Sequence, residues 1–144
     1  MNARRALKAL ETLARARDME LAELRRAAAL AVDRLEKTEA AIARIEADMM
    51  DEAVQAGGDP ELLGAYARFA AAARVRSREL TAAREARAAE CEQADAQVLE
   101  AFRALKQIEA AAKARRDEIA DEEARKERAD ADDLAAIKAY DRAS

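Results

Sequence analysis

The chain has 144 residues and a net charge of −4, and 39% of its side chains are charged. Alanine supplies 43 residues and aromatic side chains only four, so helix propensity is strong while bulky material for a globular core is scarce. Because acidic and basic side chains are interleaved, no strong uniform field exists to gather phosphates, which argues against nucleic acid as a partner.

A heptad seam predicts a first helix over about residues 3–55. Apolar or small side chains recur there at alternating spacings of three and four, the pattern that places one face of a helix against a partner helix. The large apolar members of this seam are Leu7, Leu10, Leu21, Leu24, Leu35, Ile42 and Ile45.

A specific turn is predicted at residues 56–60. Gly57 and Gly58 permit the positive φ that a helix end often needs, Asp59 can cap the next helix, and Pro60 suits its first position. This order of residues favours a tight connection between two helices over a disordered linker.

The seam resumes after the turn and predicts a second helix over about residues 60–140. Reflection about residues 57–58 pairs each seam position of the first helix with one of the second, for example Leu24 with Cys91. The predicted fold class is therefore all-α: one two-helix antiparallel coiled-coil hairpin with an overhanging C-terminal helix. Its seam residues in the second helix include Leu80, Cys91, Val98, Leu105 and Ile108.

The distribution of charge also favours an antiparallel hairpin. Residues 27–52 carry three basic and seven acidic side chains, and their proposed partners at 67–87 carry six basic and two acidic ones. A parallel dimer would set the acidic segment 27–52 against itself, so we rank it lower, although hairpins can still associate in pairs.

The segment after Ile108 has no mirror partner in the first helix apart from a few terminal residues. Residues 113–133 are densely charged and contain Ile119 as their only large apolar side chain. Leu134, Ile137 and Tyr140 then return at one-turn spacing. Two interpretations stay open for this end of the chain, a frayed solvated tail and a docking element.

No motif indicates catalysis, and we expect no enzyme activity, cofactor or metal site. The chain lacks histidine, a glycine-rich phosphate loop and a pair of cysteines. The carboxylates at 117–123 are interpreted as a solvated helix face, and Cys91 as a small buried seam residue.

No apolar run approaches the ~20 residues that cross a bilayer, so we expect a cytoplasmic protein without direct membrane insertion.

Four segments together resemble the FliJ-type flagellar export proteins, small coiled-coil components of the type III export apparatus. They are the Asp59-Pro60 break, the tripeptide Tyr66-Ala67-Arg68, the segment 100–109 and the Arg/Glu-rich stretch 113–133. The likeness is greatest to the alphaproteobacterial branch and spans nearly the whole chain.

This resemblance implies a stalk that joins a hexameric export ATPase to the cytoplasmic domain of the export gate. Proteins of this kind insert the end that bears both termini into the ATPase ring, and some also handle empty export chaperones. They act in the cytoplasm, peripherally associated with the export apparatus at the inner membrane.

The resemblance also implies candidate contact residues. The gate contact of the family lies early in the second helix, which corresponds here to Tyr66, Phe69, Arg74 and Arg76. The candidates for ATPase contact are Arg4, Arg5, Lys8, Arg115, Arg116 and Ile119. The competing interpretation is an architectural coiled-coil spacer or scaffold without an ATPase partner.

Overall fold

A computed structural model describes residues 2–143 and contains two long helices that pack against each other. Helix α1 spans Asn2–Ala56 and helix α2 spans Pro60–Ala143. The described residues include no strand. The all-α helical hairpin expected from the sequence is therefore confirmed.

The turn uses its residues as the sequence predicts. Gly58 has a φ of 95°, a left-handed conformation that favours glycine. Pro60 is the first residue of α2. The Asp59 side chain accepts a hydrogen bond from the Glu61 N–H at 3.0 Å, and the Asp59 carbonyl accepts one from the Leu63 N–H at 2.9 Å. These bonds satisfy donors that the start of a helix otherwise leaves unpaired.

The helices form two compact units. The charged unit comprises residues 2–21 and 101–143, and the turn unit comprises Ala22–Glu100. The large apolar seam residues expected from the sequence are all buried or half-buried in their respective units. Leu21 is 2% exposed, the lowest value among the large side chains of residues 2–143.

Polar side chains at seam positions are satisfied within their own helices. The Thr38 hydroxyl donates to the Arg34 carbonyl at 3.0 Å, so it needs no partner from α2. Arg87 is half-buried and pairs with Glu90 at 3.1 Å. Arg84 is exposed, which leaves its charged guanidinium group in water.

The partners across the charged unit differ from the mirror register. Reflection about residues 57–58 would place 111 opposite Arg4 and 104 opposite Glu11, whereas the observed ion-pair partners are Glu123 and Arg116. Both partners lie twelve residues farther along α2, about 18 Å at ~1.5 Å per residue. Two long side chains do not span that distance, so the mirror register is wrong here.

A smaller displacement is present in the turn unit. The mirror register places 70 opposite Ile45 and 67 opposite Asp48. The groove beside these two residues is lined on α2 by Phe69, Ala72, Ala73 and Arg76. The α2 residues that line this groove therefore lie, on average, about one turn farther along α2 than the mirror register predicts.

This displacement predicts which engineered cysteine will bond to Cys91. The mirror register selects Leu24, whereas displacement by one to two turns selects Ala28 or Ala31. A disulfide requires Cα atoms about 4.4–6.8 Å apart, so oxidation discriminates between these positions. We expect Ala28→Cys or Ala31→Cys to give the faster-migrating monomer on non-reducing gels sooner than Leu24→Cys. Fastest closure by Leu24→Cys would restore the mirror register, and crosslinked dimers alone would contradict an intramolecular hairpin.

Candidate functional site

The charged unit brings the start of α1 against residues 112–126 of α2. Ala112 is 2% exposed and Ile119 is half-buried, so the apolar seam continues past Ile108. Arg4 forms an ion pair with Glu123, and Arg116 approaches Glu11 with an N···O distance of 4.0 Å. The expectation that 113–133 lacks a partner in α1 is therefore wrong for its first half.

Two shallow grooves follow this contact between the helices. One is lined by Arg4, Ile119, Glu122, Glu123 and Lys126. The other contains Ala14 and Ala112 between charged residues, namely Glu11, Arg15, Glu109 and Arg116. Each groove thus combines apolar side chains with charges of both signs, an arrangement that suits a charged partner. Neither groove encloses a ligand in the way that small-molecule sites do.

The structure brings three of the six ATPase-contact candidates together in the charged unit. Arg4 and Ile119 line the same groove, and Arg116 takes part in the neighbouring contact with Glu11. Arg5 and Lys8 are exposed, and Arg115 is exposed and pairs along its own helix with Glu118 at 2.9 Å. The assignment of these residues to an ATPase contact stays a prediction.

Sequence reasoning missed Glu11 and Glu123, which hold Arg116 and Arg4. The mirror register placed Ala111 opposite Arg4 and Ala104 opposite Glu11, so it gave neither charged side chain an ion-pair partner. These ion pairs are highly exposed, with the Arg4 side chain at 70% and Glu123 at 57%, so each contributes at most about 1 kcal/mol. They orient long side chains more than they stabilise the fold.

The gate-contact candidates lie in the first turns of α2 within the turn unit. Tyr66 is half-buried against the seam, whereas Phe69 is 36% exposed and lines the groove that also contains Ile45 and Asp48 of α1. Arg76 borders this groove and pairs with Glu79 at 3.4 Å. Arg74 is exposed away from the groove lining. The contribution of Ile45 and Asp48 could not be read from the sequence, because it depends on the register.

Three of the five carboxylates at 117–123 are engaged by basic neighbours. Lys113 pairs with Asp117 at 2.9 Å, and Glu118 and Glu123 bind Arg115 and Arg4. Within residues 2–143, no group of three or more histidine, cysteine, aspartate or glutamate side chains is placed to hold a metal ion. The arrangement is that of a helix laced by ion pairs one turn apart.

Helix α2 remains helical and exposed beyond this contact. Every residue from 120 to 143 is exposed, including Leu134 at 53% and Ile137 at 58%. The segment is therefore an extended charged helix with apolar residues near its end. Among the described residues, no helix is long and apolar enough to cross a membrane.

Comparison with known proteins gives no relative: no protein-family model, curated protein or solved structure matches the chain.

Proposed function

We propose that this protein is a non-enzymatic stalk and adaptor of the flagellar type III export apparatus, coupling the hexameric export ATPase to the export gate. The observation that carries the proposal is the charged unit, in which both helices contribute cations and carboxylates to one exposed surface. In this proposal the protein works in the cytoplasm beside the inner membrane and also handles export chaperones.

The charge arrangement supports an ATPase contact at this unit. Arg5 and Lys8 project from α1, Arg115 projects from α2, and all three are exposed. Exposed charges of this kind steer association and fix the register of a partner more than they add raw affinity. A stalk that must enter a ring gains from such a surface, because it can bind without burying a large rigid apolar patch.

The exposed aromatic side chain of Phe69 supports a separate gate contact. Phe69 lies beside Ala72 and Ala73, whose small side chains leave the groove open to a partner side chain. Aromatic residues are favoured as anchors in protein interfaces. The gate contact would therefore use the turn unit and leave the charged unit for the ATPase.

The ATPase contact predicts loss of stimulation when the exposed cations are reversed. We expect the full chain to stimulate ATP hydrolysis by the purified hexameric flagellar export ATPase. The triple variant Arg5→Glu/Lys8→Glu/Arg115→Glu should lose most of that stimulation, because three favourable contacts become repulsive. The measurement is the steady-state hydrolysis rate at increasing concentrations of each chain.

Two further variants separate charge from site. Arg74→Glu/Arg78→Glu/Arg84→Glu makes the same charge change at exposed positions of the turn unit and should keep the stimulation. Tyr66→Ala/Phe69→Ala should also keep the stimulation and should instead weaken binding to the gate domain.

A truncation after Lys126 retains the contacts of Arg116, Ile119 and Glu123, whereas one after Ala112 would remove them. No stimulation by the full chain when the ring assembles would favour an architectural spacer.

A further inference from the structure

Large apolar side chains are exposed on both sides of the turn. Met50 is 71% and Val54 81% exposed at the end of α1, and Leu62 and Leu63 are 47% and 48% exposed at the start of α2. Met50 and Val54 are one helical turn apart, and three residues join the two helices. We refer to these four residues as the apolar tip. Clustered exposure of this kind marks an interaction surface more often than isolated exposed residues do.

The fold itself explains why the apolar tip lacks a cover. Leu63 continues the heptad spacing of Tyr66 and Ala70, yet it is far more exposed than Ala70, which is 1% exposed. Helix α1 ends at Ala56, so it has no further turn to place over the first turn of α2. At the turn, the seam of α2 therefore has no α1 residue to pack against. Only another molecule can cover this part of the seam.

The stretch of sequence that contains the apolar tip carries charge of a single sign. Residues 45–67 contain six carboxylates and no lysine or arginine. None of these carboxylates forms an ion pair within residues 2–143, in contrast to Glu11 and Glu123 of the charged unit. The six carboxylates of residues 45–67 are Glu46, Asp48, Asp51, Glu52, Asp59 and Glu61. The segment that bears the apolar tip thus carries negative charge that this chain leaves unpaired.

We propose that the apolar tip is a docking surface for a basic amphipathic helix of a partner protein. The apolar face of such a helix would cover the four exposed side chains, while its lysine and arginine residues would meet the surrounding carboxylates. Met50 suits this role because its flexible thioether side chain adapts to different partners. This inference does not depend on the proposed function.

The charges favour this occupant over a second copy of the chain. A second copy would offer residues 62–78, which contain four arginines and no acidic residue. In each copy, however, these arginines adjoin the acidic segment 45–61, so a symmetric pair would also oppose like charges. A separate helix with basic residues along both edges of its apolar face brings no carboxylates of its own to oppose those of the segment 45–61.

Binding of two synthetic helices to the full chain tests the proposal. The first peptide has leucine on one face and lysine on the other over about 18 residues, roughly five turns. The second has glutamate in place of every lysine and the same leucines. We expect the lysine peptide to bind, with protection of amide hydrogens near the turn, and the glutamate peptide not to bind. Fluorescence anisotropy measures the affinity, and hydrogen exchange locates the contact.

Three variants of the full chain make the test specific, each with helicity checked by circular dichroism. The tip variant replaces all four apolar residues by glutamine, which preserves helix propensity. The charge variant is Asp48→Asn/Asp51→Asn/Glu52→Gln/Glu61→Gln. The matched control places four glutamines at other exposed apolar positions of α1, namely Leu13, Met19, Leu30 and Val32.

We expect the tip and charge variants each to bind the lysine peptide on the order of tenfold more weakly than the control does. Equal affinity of the tip variant and the control would overturn the proposal, because the four apolar residues would then contribute nothing to binding. Sedimentation of the chain alone tests the other occupant. Self-association that the tip variant abolishes would assign the apolar tip to a second copy and would also overturn the proposal.

Discussion

Leu21→Ala is expected to lower the free energy of unfolding by about 3 kcal/mol, within the range for large-to-small changes in a core. Leu21 is 2% exposed and is the only fully buried large side chain among residues 2–143. Many neighbouring seam positions carry alanine, and alanine has no rotamers with which to fill the space that leucine leaves. The cavity should therefore persist, and the loss of unfolding free energy should exceed the free energy of transferring the deleted side-chain atoms alone.

Leu13→Ala is the matched control for this loss. It makes the same change in the same helix and the same unit, at a side chain that is 41% exposed. We expect a loss below about 1 kcal/mol, since much of this side chain is already in contact with water and its removal leaves no enclosed cavity. Urea denaturation followed by far-ultraviolet circular dichroism gives both values. Similar losses at the two positions would show that Leu21 does not anchor the charged unit.

The seam and the turn could be predicted from the sequence because both depend on local chemistry. A spacing of three and four places Leu21, Ile42, Leu80 and Leu105 on the inner faces of their helices in any register. These four residues are indeed among those buried in the structure. Gly58 likewise adopts its positive φ through local sterics.

The register could not be predicted in the same way. When one heptad helix slides past another by half a heptad or a full heptad, the apolar seams of the two helices still face each other. The apolar periodicity is therefore compatible with several registers. The choice among them depends on the turn and on packing between layers. The twelve-residue displacement of Glu123 and Arg116 from their mirror positions is the consequence. It also moves the end of the seam from Ile108 to at least Ile119.

The candidate contact sites depended on this register to different degrees. Arg5 and Lys8 are exposed in the structure, like most residues off the seam of α1. The groove beside Phe69 required the knowledge that Ile45 and Asp48 lie across from it, which no local pattern supplies. The apolar tip also escaped sequence reasoning, because Leu63 occupies a seam position and becomes exposed only where α1 ends.

Ala112→Asp is expected to lower the free energy of unfolding by about 3 kcal/mol, because it places a charge at a site that is 2% exposed. The surroundings offer little compensation. Arg15 and Arg116 line the adjacent groove, but so do Glu11 and Glu109, so the added carboxylate meets as many negative charges as positive ones. Under the mirror register Ala112 would have lain at the edge of the pairing, where an aspartate costs little.

Ala111→Asp provides the control, since it introduces the same side chain one position earlier on the exposed face of α2. Aspartate lowers helix propensity equally at both positions, by less than ~1 kcal/mol, so the difference between the variants isolates burial. Urea denaturation should place the midpoint of the Ala112 variant well below that of the Ala111 variant. Coincident midpoints would mean that α1 does not cover residue 112, and the contacts of Arg4 with Glu123 and Glu11 with Arg116 would then lose their structural support.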